Sequence, residues 1–264
     1  MILDTIITDT RVRLAARKAK CPEGVLWERL DRAPPPLDLS HYLKRPGVSI
    51  IAEVKRASPS RGALNLDLEP AALAVAYASA GAQAISILTE QSYFRGSLGD
   101  LDQARRGLAA ARIERPLLCK DFVIDSYQLL EARISGADAI LLIVAVLDNE
   151  SLAALLEEAL ALGVTPLVEV HNERELAQAL ALDPPIVGIN NRDLSDFAVD
   201  LEVTRRLRPL IPPKVVVVSE SGIHQTAQMR QLSELQVDAA LIGQALVTAP
   251  DPMAKLKELK EAGR

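Results

Sequence analysis

Aromatic residues are scarce in this sequence of 264 residues: Phe, Tyr and Trp together make up 3% of it. The core must therefore be filled by Leu, Ile, Val and Ala, within a hydrophobic fraction of 49%. Proteins that bind single-stranded nucleic acid stack bases on several aromatic side chains, so the composition argues against that class. The apolar fraction is also too high for intrinsic disorder. The composition predicts a globular protein with an aliphatic core.

Cysteine and histidine are scarce as well. The two cysteines, Cys21 and Cys119, are too few for a disulfide framework and lack the spacing of metal ligands. Cys119 lies in an apolar run, where a small buried hydrophobic residue is expected. His41, His171 and His224 are scattered without ligand spacing, so each is expected to be a surface or structural residue.

The sequence also lacks an excess of positive charge and any long apolar run. The net charge is −5, which argues against a general nucleic-acid partner. The longest apolar run, 139–147, falls well short of the ~18 residues that a membrane span needs. Asp4 and Asp9 weaken any reading of the basic N-terminus as a transit peptide. We expect a cytoplasmic protein with neither a membrane nor a nucleic-acid partner.

Short aliphatic runs alternate with longer stretches rich in Ala, Leu, Glu and Arg. The runs predict eight strands, at 48–54, 84–88, 116–119, 139–143, 166–170, 186–189, 215–218 and 239–242. Each run is nearly continuous rather than alternating, which is typical of parallel strands covered by helices. Eight βα units in a chain of this length predict an α/β protein of the (β/α)₈ TIM-barrel type. The alternative, an open doubly wound sheet, lacks a G-x-G-x-x-G motif after its first strand.

A weak internal repeat supports the eight units. The segments 81–85 and 136–140 share the pattern Gly-Ala-x-Ala-Ile, and 237–241 is a looser copy. In each copy a helix ends, often at glycine, and a strand begins within a few residues.

The first 46 residues precede the repeat. They predict a helix that begins near Ile2, a second helix at 23–30, and a stiff Pro-Pro-Pro connector at 34–36. Asp38 or Ser40 could cap a third short helix that ends before Pro46. We expect one barrel domain over 1–264, in which 1–46 is a helical extension packed on the barrel.

Polar side chains follow the predicted strands, at the barrel end where chemistry is done. Period two places Glu53 and Lys55 on one face, and likewise Asn190 and Arg192. Other strands end near three further charged residues, Lys120, Glu169 and Glu220. Three glutamates and three basic residues on one rim would cost desolvation unless paired or used. Such a ring can hold acids and bases with shifted pKa values, which proton transfer requires.

The last two strands are followed by a different kind of loop. Ser221-Gly222 and Gly243-Gln244 come just after them, where glycine allows the main chain to approach a ligand closely. Phosphate binding after the seventh and eighth strands is frequent in barrels. The two loops together predict a small phosphorylated substrate.

Blocks of residues along most of the chain resemble one known family. They lie at 51–60, 88–97, 120–125, 141–144, 167–171, 188–194 and 219–223. The most specific is Glu-x-Lys-x-x-Ser-Pro-Ser, from Glu53 to Ser60. Together the blocks resemble indole-3-glycerol phosphate synthases, and the N-terminal extension is similar to theirs.

The resemblance implies a reaction. Members of this family convert 1-(2-carboxyphenylamino)-1-deoxyribulose 5-phosphate to indole-3-glycerol phosphate, with loss of CO₂ and water. They need no redox or organic cofactor and no metal. The resemblance also implies a place in tryptophan biosynthesis and possible association with other enzymes of that pathway.

The resemblance further implies catalytic roles. Lys120 would be the general acid of ring closure, and Glu169 the acid–base partner in dehydration. Lys55 would contact substrate anions or donate a later proton, and the division of acid roles between the two lysines stays open. Glu53 would orient and tune the lysines, and Asn190 would hydrogen-bond a substrate hydroxyl or a catalytic group.

Binding roles follow from the same resemblance. Ser58 would lie near the anthranilate carboxylate, and an apolar slot for the aryl ring would be formed by Phe94, Phe122 and Leu141. The sugar-derived chain would contact Arg192 and Glu220. The phosphate would be held by Ser221, Gly222, Gly243 and Gln244. Many members of the family have Ser where this chain has Gln244.

Three alternatives remain. A phosphoribosylanthranilate isomerase would need a Cys–Asp pair with Cys at the end of the first strand, where this chain has Glu53 and Lys55. A Schiff-base aldolase could use Lys55 or Lys120. A barrel retained only for ligand binding would have little need of the charged residues that this chain carries at its strand ends.

Overall fold

The computed structural model describes residues 2–31, 33–59, 61–194 and 197–264. Eight parallel strands close into a barrel in the order β1-β8-β7-β6-β5-β4-β3-β2, where β2 pairs again with β1. They are β1 (Ser49–Val54), β2 (Ala84–Leu88), β3 (Leu117–Lys120), β4 (Ala139–Ile143), β5 (Thr165–Val170), β6 (Ile186–Asn190), β7 (Val216–Glu220) and β8 (Ala239–Ile242). The (β/α)₈ prediction is confirmed, and each predicted strand is present within two residues of its expected bounds.

Helices precede and surround the barrel. They are α1 (Ile2–Lys20), α2 (Glu23–Leu30), α3 (Leu39–Leu43), α4 (Pro70–Ala80), α5 (Leu98–Ala110), α6 (Ser126–Ile134), α7 (Asn149–Ala161), α8 (Glu173–Leu180), α9 (Glu202–Leu207), α10 (Thr226–Glu234), α11 (Gln244–Val247) and α12 (Pro252–Ala262). A 3₁₀ turn, Arg208–Leu210, follows α9. In the loop after β1, Ala57–Ser58 and Gly62–Ala63 form a short antiparallel pair.

Strand residues alternate between the barrel interior and the layer under the helices. Ile51, Leu118 and Leu167 belong to the inner cluster, whereas Ile50 and Val168 belong to the outer one. All five are fully buried because both faces of the parallel sheet are covered. On each strand the inward-facing positions, here called its inner row, continue to the carboxyl end. They therefore determine which side chains enter the barrel mouth.

The internal repeat has a structural cause. In each copy, the side chain just before the strand accepts a hydrogen bond from a main-chain N–H of the neighbouring strand. Gln83 accepts from Ile50 at 2.8 Å, Asp138 from Leu117 at 2.7 Å and Asp238 from Val217 at 2.8 Å. These bonds satisfy N–H groups near the amino-terminal edge of the barrel, which would otherwise be costly to bury.

The short helix α3 closes the amino-terminal end of the barrel. Its Leu39 and Leu43 are fully buried in the inner cluster. Asp38 caps the helix by accepting a hydrogen bond from the N–H of Ser40 at 2.8 Å, which settles the choice between the two predicted caps. The side chain of Ser49 in turn donates to the Leu43 carbonyl at 2.9 Å.

The long helix α1 lies against the β2 and β3 side of the barrel. Arg13 pairs with Glu90 after β2 at 2.7 Å, and Arg17 pairs with Glu131 of α6 at 3.0 Å. Leu14 packs in a small apolar cluster with residues of α2 and α6. These contacts fix the start of α1 near the barrel mouth. None of the described helices is both long and apolar enough to cross a membrane.

Asp138 is the repeat residue with the most partners, and this predicts a difference in stability. It also accepts from the N–H of Leu37 at 2.8 Å and forms an ion pair with Arg105. We expect Asp138→Ala to lower the free energy of unfolding by about 3 kcal/mol, because it leaves two N–H groups without an acceptor and the Arg105 guanidinium without this carboxylate. Asp238→Ala, the matched control, should cost about 1 kcal/mol. Urea unfolding measures both, and equal losses would contradict this account.

Candidate active site

The charged residues of the site continue the inner rows of the barrel strands. Two positions beyond the inward-facing Ile51, Leu118, Leu167 and Val218 come Glu53, Lys120, Glu169 and Glu220. All four strands are parallel, so their carboxyl ends meet at the same mouth. The alternation of side chains that places the aliphatic residues inside the barrel therefore also brings these ionisable groups together at its mouth.

The fifteen residues predicted from the sequence line one cavity at this mouth. They are Glu53, Lys55, Ser58, Phe94, Lys120, Phe122, Leu141, Glu169, Asn190, Arg192, Glu220, Ser221, Gly222, Gly243 and Gln244. The cavity has about 1210 Å³ of empty space, its open mouth included.

A buried ammonium group lies at the centre of the cavity. Lys120 Nζ donates to Glu220 Oε2 at 2.6 Å and to Glu169 Oε2 at 3.1 Å. The side chains of both glutamates are at most 3% exposed, so the three groups are shielded from water. Glu220 Oε1 is also buried, and within the described structure it has no hydrogen-bond partner. This oxygen is available to a substrate hydroxyl.

The two carboxyls that share this ammonium have pKa values shifted in opposite directions. Burial disfavours the charged form of Lys120, but Glu220, Glu169 and Glu53 outweigh it and raise the pKa of Lys120. Burial raises the pKa of Glu220 to about 7, since Glu169 and Glu53 add to it and Lys120 only partly opposes it. For Glu169 burial acts in the same direction, but Lys120 and His171 outweigh it, so its pKa falls well below the usual range.

Two glycines make room for these carboxylates. A Cβ at Gly188 would overlap Glu220 Oε1 and lie 2.6 Å from Leu167 Cδ2. A Cβ at Gly243 would overlap Glu53 Oε1. Both glycines are therefore required by the close approach of a neighbouring side chain.

Glu53 and Lys55 form an ion pair within the site. The pair lies on the same strand face, as the i, i+2 spacing predicts. Asn190 is buried and accepts a hydrogen bond from the N–H of Arg192 at Oδ1.

One side of the cavity is apolar. The rings of Phe94 and Phe122 lie 6.3 Å apart between centroids and are tilted by 44°, with Leu141 among the residues that line the same cavity. The sequence contains three Phe, of which two are predicted to serve this slot. The third, Phe197, lines the cavity too. Helix α1 adds the side chains of Ile2, Leu3 and Ile6.

The opposite side carries the two glycine-containing loops. Ser221 and Gly222 both adopt positive φ, of 64° and 82°. This conformation is unusual for serine, and Asn191 supports it by donating to the carbonyls of Glu220 and Ser221 at 2.8 and 3.2 Å. The second loop places Gly243 directly before α11.

Positive charge accumulates near these loops. Burial and the nearby positive charge of Arg61 lower the pKa of Arg192. Burial and both arginines also lower the pKa of His224. Among the described residues, no carboxylate lies within ion-pair distance of either arginine. An anion would relieve this repulsion.

Three residues of the site were not predicted as site residues, and the two histidines among them were expected to be surface or structural. His171 contacts Glu169, Asn191 supports Ser221, and His224 lines the cavity. The i, i+2 rule that pairs Glu53 with Lys55 also pairs Glu169 with His171. The sequence therefore did contain a signal that places His171 in the site. No group of three or more His, Cys, Asp or Glu side chains within the described ranges could hold a metal ion.

Taken together, the closed barrel and its charged cavity define a (β/α)₈-barrel enzyme with a small-molecule site at the carboxyl ends of the strands. The family model described as indole-3-glycerol phosphate synthase matches residues 3–259. The chain belongs to this family, and as a member it is a carboxy-lyase of tryptophan biosynthesis.

Individual relatives agree with the family model. The indole-3-glycerol phosphate synthase of Dehalococcoides mccartyi strain CBDB1 is 50% identical over 260 residues, which cover 98% of this chain and 100% of the relative. That of Mycolicibacterium smegmatis is 47% identical over 262 residues, covering 99% and 94%. A solved structure of thiamine phosphate pyrophosphorylase from Pyrococcus furiosus aligns with a TM-score of 0.60 at 17% identity, covering 85% of this chain and 97% of that one. This last likeness concerns the fold alone.

The lack of space for a Cβ at Gly188 predicts how one added methyl group affects catalysis. We expect Gly188→Ala to fold but to lose roughly 10²-fold in kcat, because the added Cβ displaces the Glu220 carboxylate from Lys120. Gly24→Ala is the matched control, since a Cβ there meets nothing within 4 Å. Steady-state kinetics and circular dichroism of both variants check this. Unchanged kcat in Gly188→Ala would show that the position of Glu220 does not matter.

Proposed function

We propose that this cavity carries out ring closure, decarboxylation and dehydration of 1-(2-carboxyphenylamino)-1-deoxyribulose 5-phosphate to indole-3-glycerol phosphate. One observation carries the proposal: a buried ammonium shared by two carboxylates lies in one cavity with an apolar slot and a cationic end. Each part matches one part of this substrate, namely its reacting carbonyl, its aryl ring and its phosphate.

Ring closure needs an acid at the ribulose carbonyl. As the ring carbon that bears the carboxylate attacks the carbonyl carbon, the C=O π bond breaks and its oxygen takes a proton. Lys120 supplies it, since its raised pKa keeps the amine protonated at neutral pH and two carboxylates hold it in place. The same protonation disfavours the Schiff-base alternative, which requires a neutral amine.

Loss of CO₂ then restores the aromatic ring. The C–C bond to the carboxylate breaks, and its electron pair returns to the ring. Dehydration follows, in which the new hydroxyl leaves as water and the adjacent carbon loses a proton to form the indole double bond. Glu169, whose lowered pKa keeps it ionised, accepts that proton.

The remaining polar groups bind and orient the substrate. Lys55, held by Glu53, contacts the substrate carboxylate or donates to the departing hydroxyl. Glu220 Oε1 accepts a bond from a hydroxyl of the sugar-derived chain, which supplies its missing partner. Asn190 offers its amide Nδ2, because within the described structure its Oδ1 is engaged by the N–H of Arg192.

The two ends of the substrate lie at opposite sides of the cavity. The aryl ring occupies the slot of Phe94, Phe122 and Leu141, with Ser58 near its carboxylate. The phosphate lies at the loops Ser221-Gly222 and Gly243-Gln244, where Arg192 and Arg61 supply positive charge.

The wider setting follows from the same function. A substrate that is a phosphorylated intermediate of amino-acid synthesis supports a cytoplasmic location. The net charge of −5 argues against a nucleic-acid partner. Association with other enzymes of the tryptophan pathway extends the proposal and is supported by the family alone.

The direct test supplies the carboxyphenylamino-deoxyribulose phosphate and follows indole fluorescence and CO₂ release. We expect turnover by the unmodified protein, and a fall in kcat of roughly 10² or more in Lys120→Met, because the acid of ring closure is lost. Lys44→Met, at an exposed lysine remote from the mouth, should behave as the unmodified protein.

Two outcomes would contradict this proposal. Near-normal kcat in a folded Lys120→Met would remove the role of Lys120. A covalent adduct on Lys120 after borohydride reduction in the presence of substrate would favour the Schiff-base chemistry of an aldolase.

A further inference from the structure

His171 lies between two carboxylates just beyond the end of β5. Its Nδ1 is 2.9 Å from Glu175 Oε2, and its Nε2 is 3.4 Å from Glu169 Oε1. The side chain is 12% exposed, so water screens these contacts only weakly. His171 thus connects the proposed base of the reaction with the first turn of α8.

Glu175 is held firmly in this arrangement. Its Oε2 also accepts from the N–H of His171 at 2.8 Å, and its Oε1 accepts from Asn172 Nδ2 at 2.7 Å. Asn172 is the N-cap of α8 and accepts from the N–H of Glu175 at 3.0 Å. The cap therefore fixes Glu175, and Glu175 fixes the imidazole ring.

The two contacts determine the protonation of His171. A carboxylate oxygen only accepts hydrogen bonds, so Nδ1 must carry a proton to donate to Glu175. If Nε2 were unprotonated, its lone pair would face Glu169 Oε1, which is also an acceptor. Nε2 is buried and makes no hydrogen bond to the described residues, and Glu169 Oε1, in ion-pair contact at 3.4 Å, is the charged group that it faces. Both contacts are therefore favourable in the imidazolium form, in which Nδ1 donates to Glu175 and the protonated Nε2 carries positive charge toward Glu169.

We propose that His171 is a positioning residue that holds Glu169 ionised and oriented for proton transfer. With it, each oxygen of Glu169 faces a cation: Oε2 faces Lys120 and Oε1 faces His171. The carboxylate can neither rotate freely nor take up a proton before the dehydration step. This inference rests on the proposed role of Glu169 as the base.

The charges around the ring support the assignment. Burial lowers the pKa of His171, but Glu169 on β5 and Glu175 on α8 outweigh it and raise the pKa to about 10. Across the barrel mouth Lys120 of β3 faces Glu169, and it is compensated by Glu220 of β7. The imidazolium in turn helps to lower the pKa of Glu169, as linkage between two sites requires.

A histidine titration tests this coupling directly, because the chain has only three histidines to resolve by NMR. We expect His171 to stay protonated through neutral pH. Glu169→Gln and Glu175→Gln should each lower the pKa of His171 by about one unit or more, because each removes a facing negative charge. A ring that merely fills space or bonds to Glu175 would not respond to Glu169→Gln.

Kinetics supply the second readout. His171→Asn should lower kcat about tenfold and leave KM within about twofold, the pattern of a residue that acts through a catalytic group. His41→Asn is the matched control and should be unchanged.

An ordinary imidazole pKa for His171, or one that Glu169→Gln leaves unmoved, would overturn the inference, as would a change confined to KM in His171→Asn. The proposed function fails separately, if Glu169→Gln retains normal kcat. In that case the titration would still report whether the two residues interact.

Discussion

The arrangement of the active site depends on the burial of one ammonium group, that of Lys120. Removing a charge from water is costly unless opposite charges replace the lost hydration. Here the inner rows of β5 and β7 supply two carboxylates within 3.1 Å of the nitrogen. This ammonium lowers the pKa of both carboxyls, but His171 adds to its effect at Glu169, whereas burial and the neighbouring carboxylates outweigh it at Glu220. Glu169 is therefore ionised at neutral pH, while the pKa of Glu220 is raised to about 7.

Much of the surrounding structure serves this cluster. Gly188 and Gly243 leave the space that the carboxylates of Glu220 and Glu53 occupy. The second cation at Glu169 is provided by His171, which α8 holds through Glu175. The apolar slot and the cationic loops lie on either side, so a substrate with an aryl ring at one end and a phosphate at the other would place its carbonyl near Lys120.

The fold could be predicted because its signals are local. Continuous aliphatic runs identify buried parallel strands, and period two places Glu53 and Lys55 on one face before any coordinates are known. The repeat that precedes three strands was also visible in the sequence. Its cause was not, because the hydrogen bonds of Gln83, Asp138 and Asp238 cross between strands.

What the sequence could not predict depends on contacts between distant segments. The inner face of α1 was expected to pack on the barrel, yet nothing in its pattern indicated that Ile6 reaches the cavity. Asn191 lies next to a predicted site residue, but its role depends on the main chain of β7. Phe197 was not among the residues predicted for the slot, yet it lines the cavity. For His171 the deciding information is the position of Glu175, one helical turn away.

The central claim, that two carboxyls around one buried ammonium have pKa values shifted in opposite directions, is tested most directly by infrared titration of the protein with ¹³C-labelled glutamate between about pH 5 and 9. The account predicts a protonated carboxyl band that disappears with a midpoint near 7 and is absent in Glu220→Gln. If no carboxyl titrates near neutral pH, or if the band persists in Glu220→Gln, the two glutamates are not divided in this way.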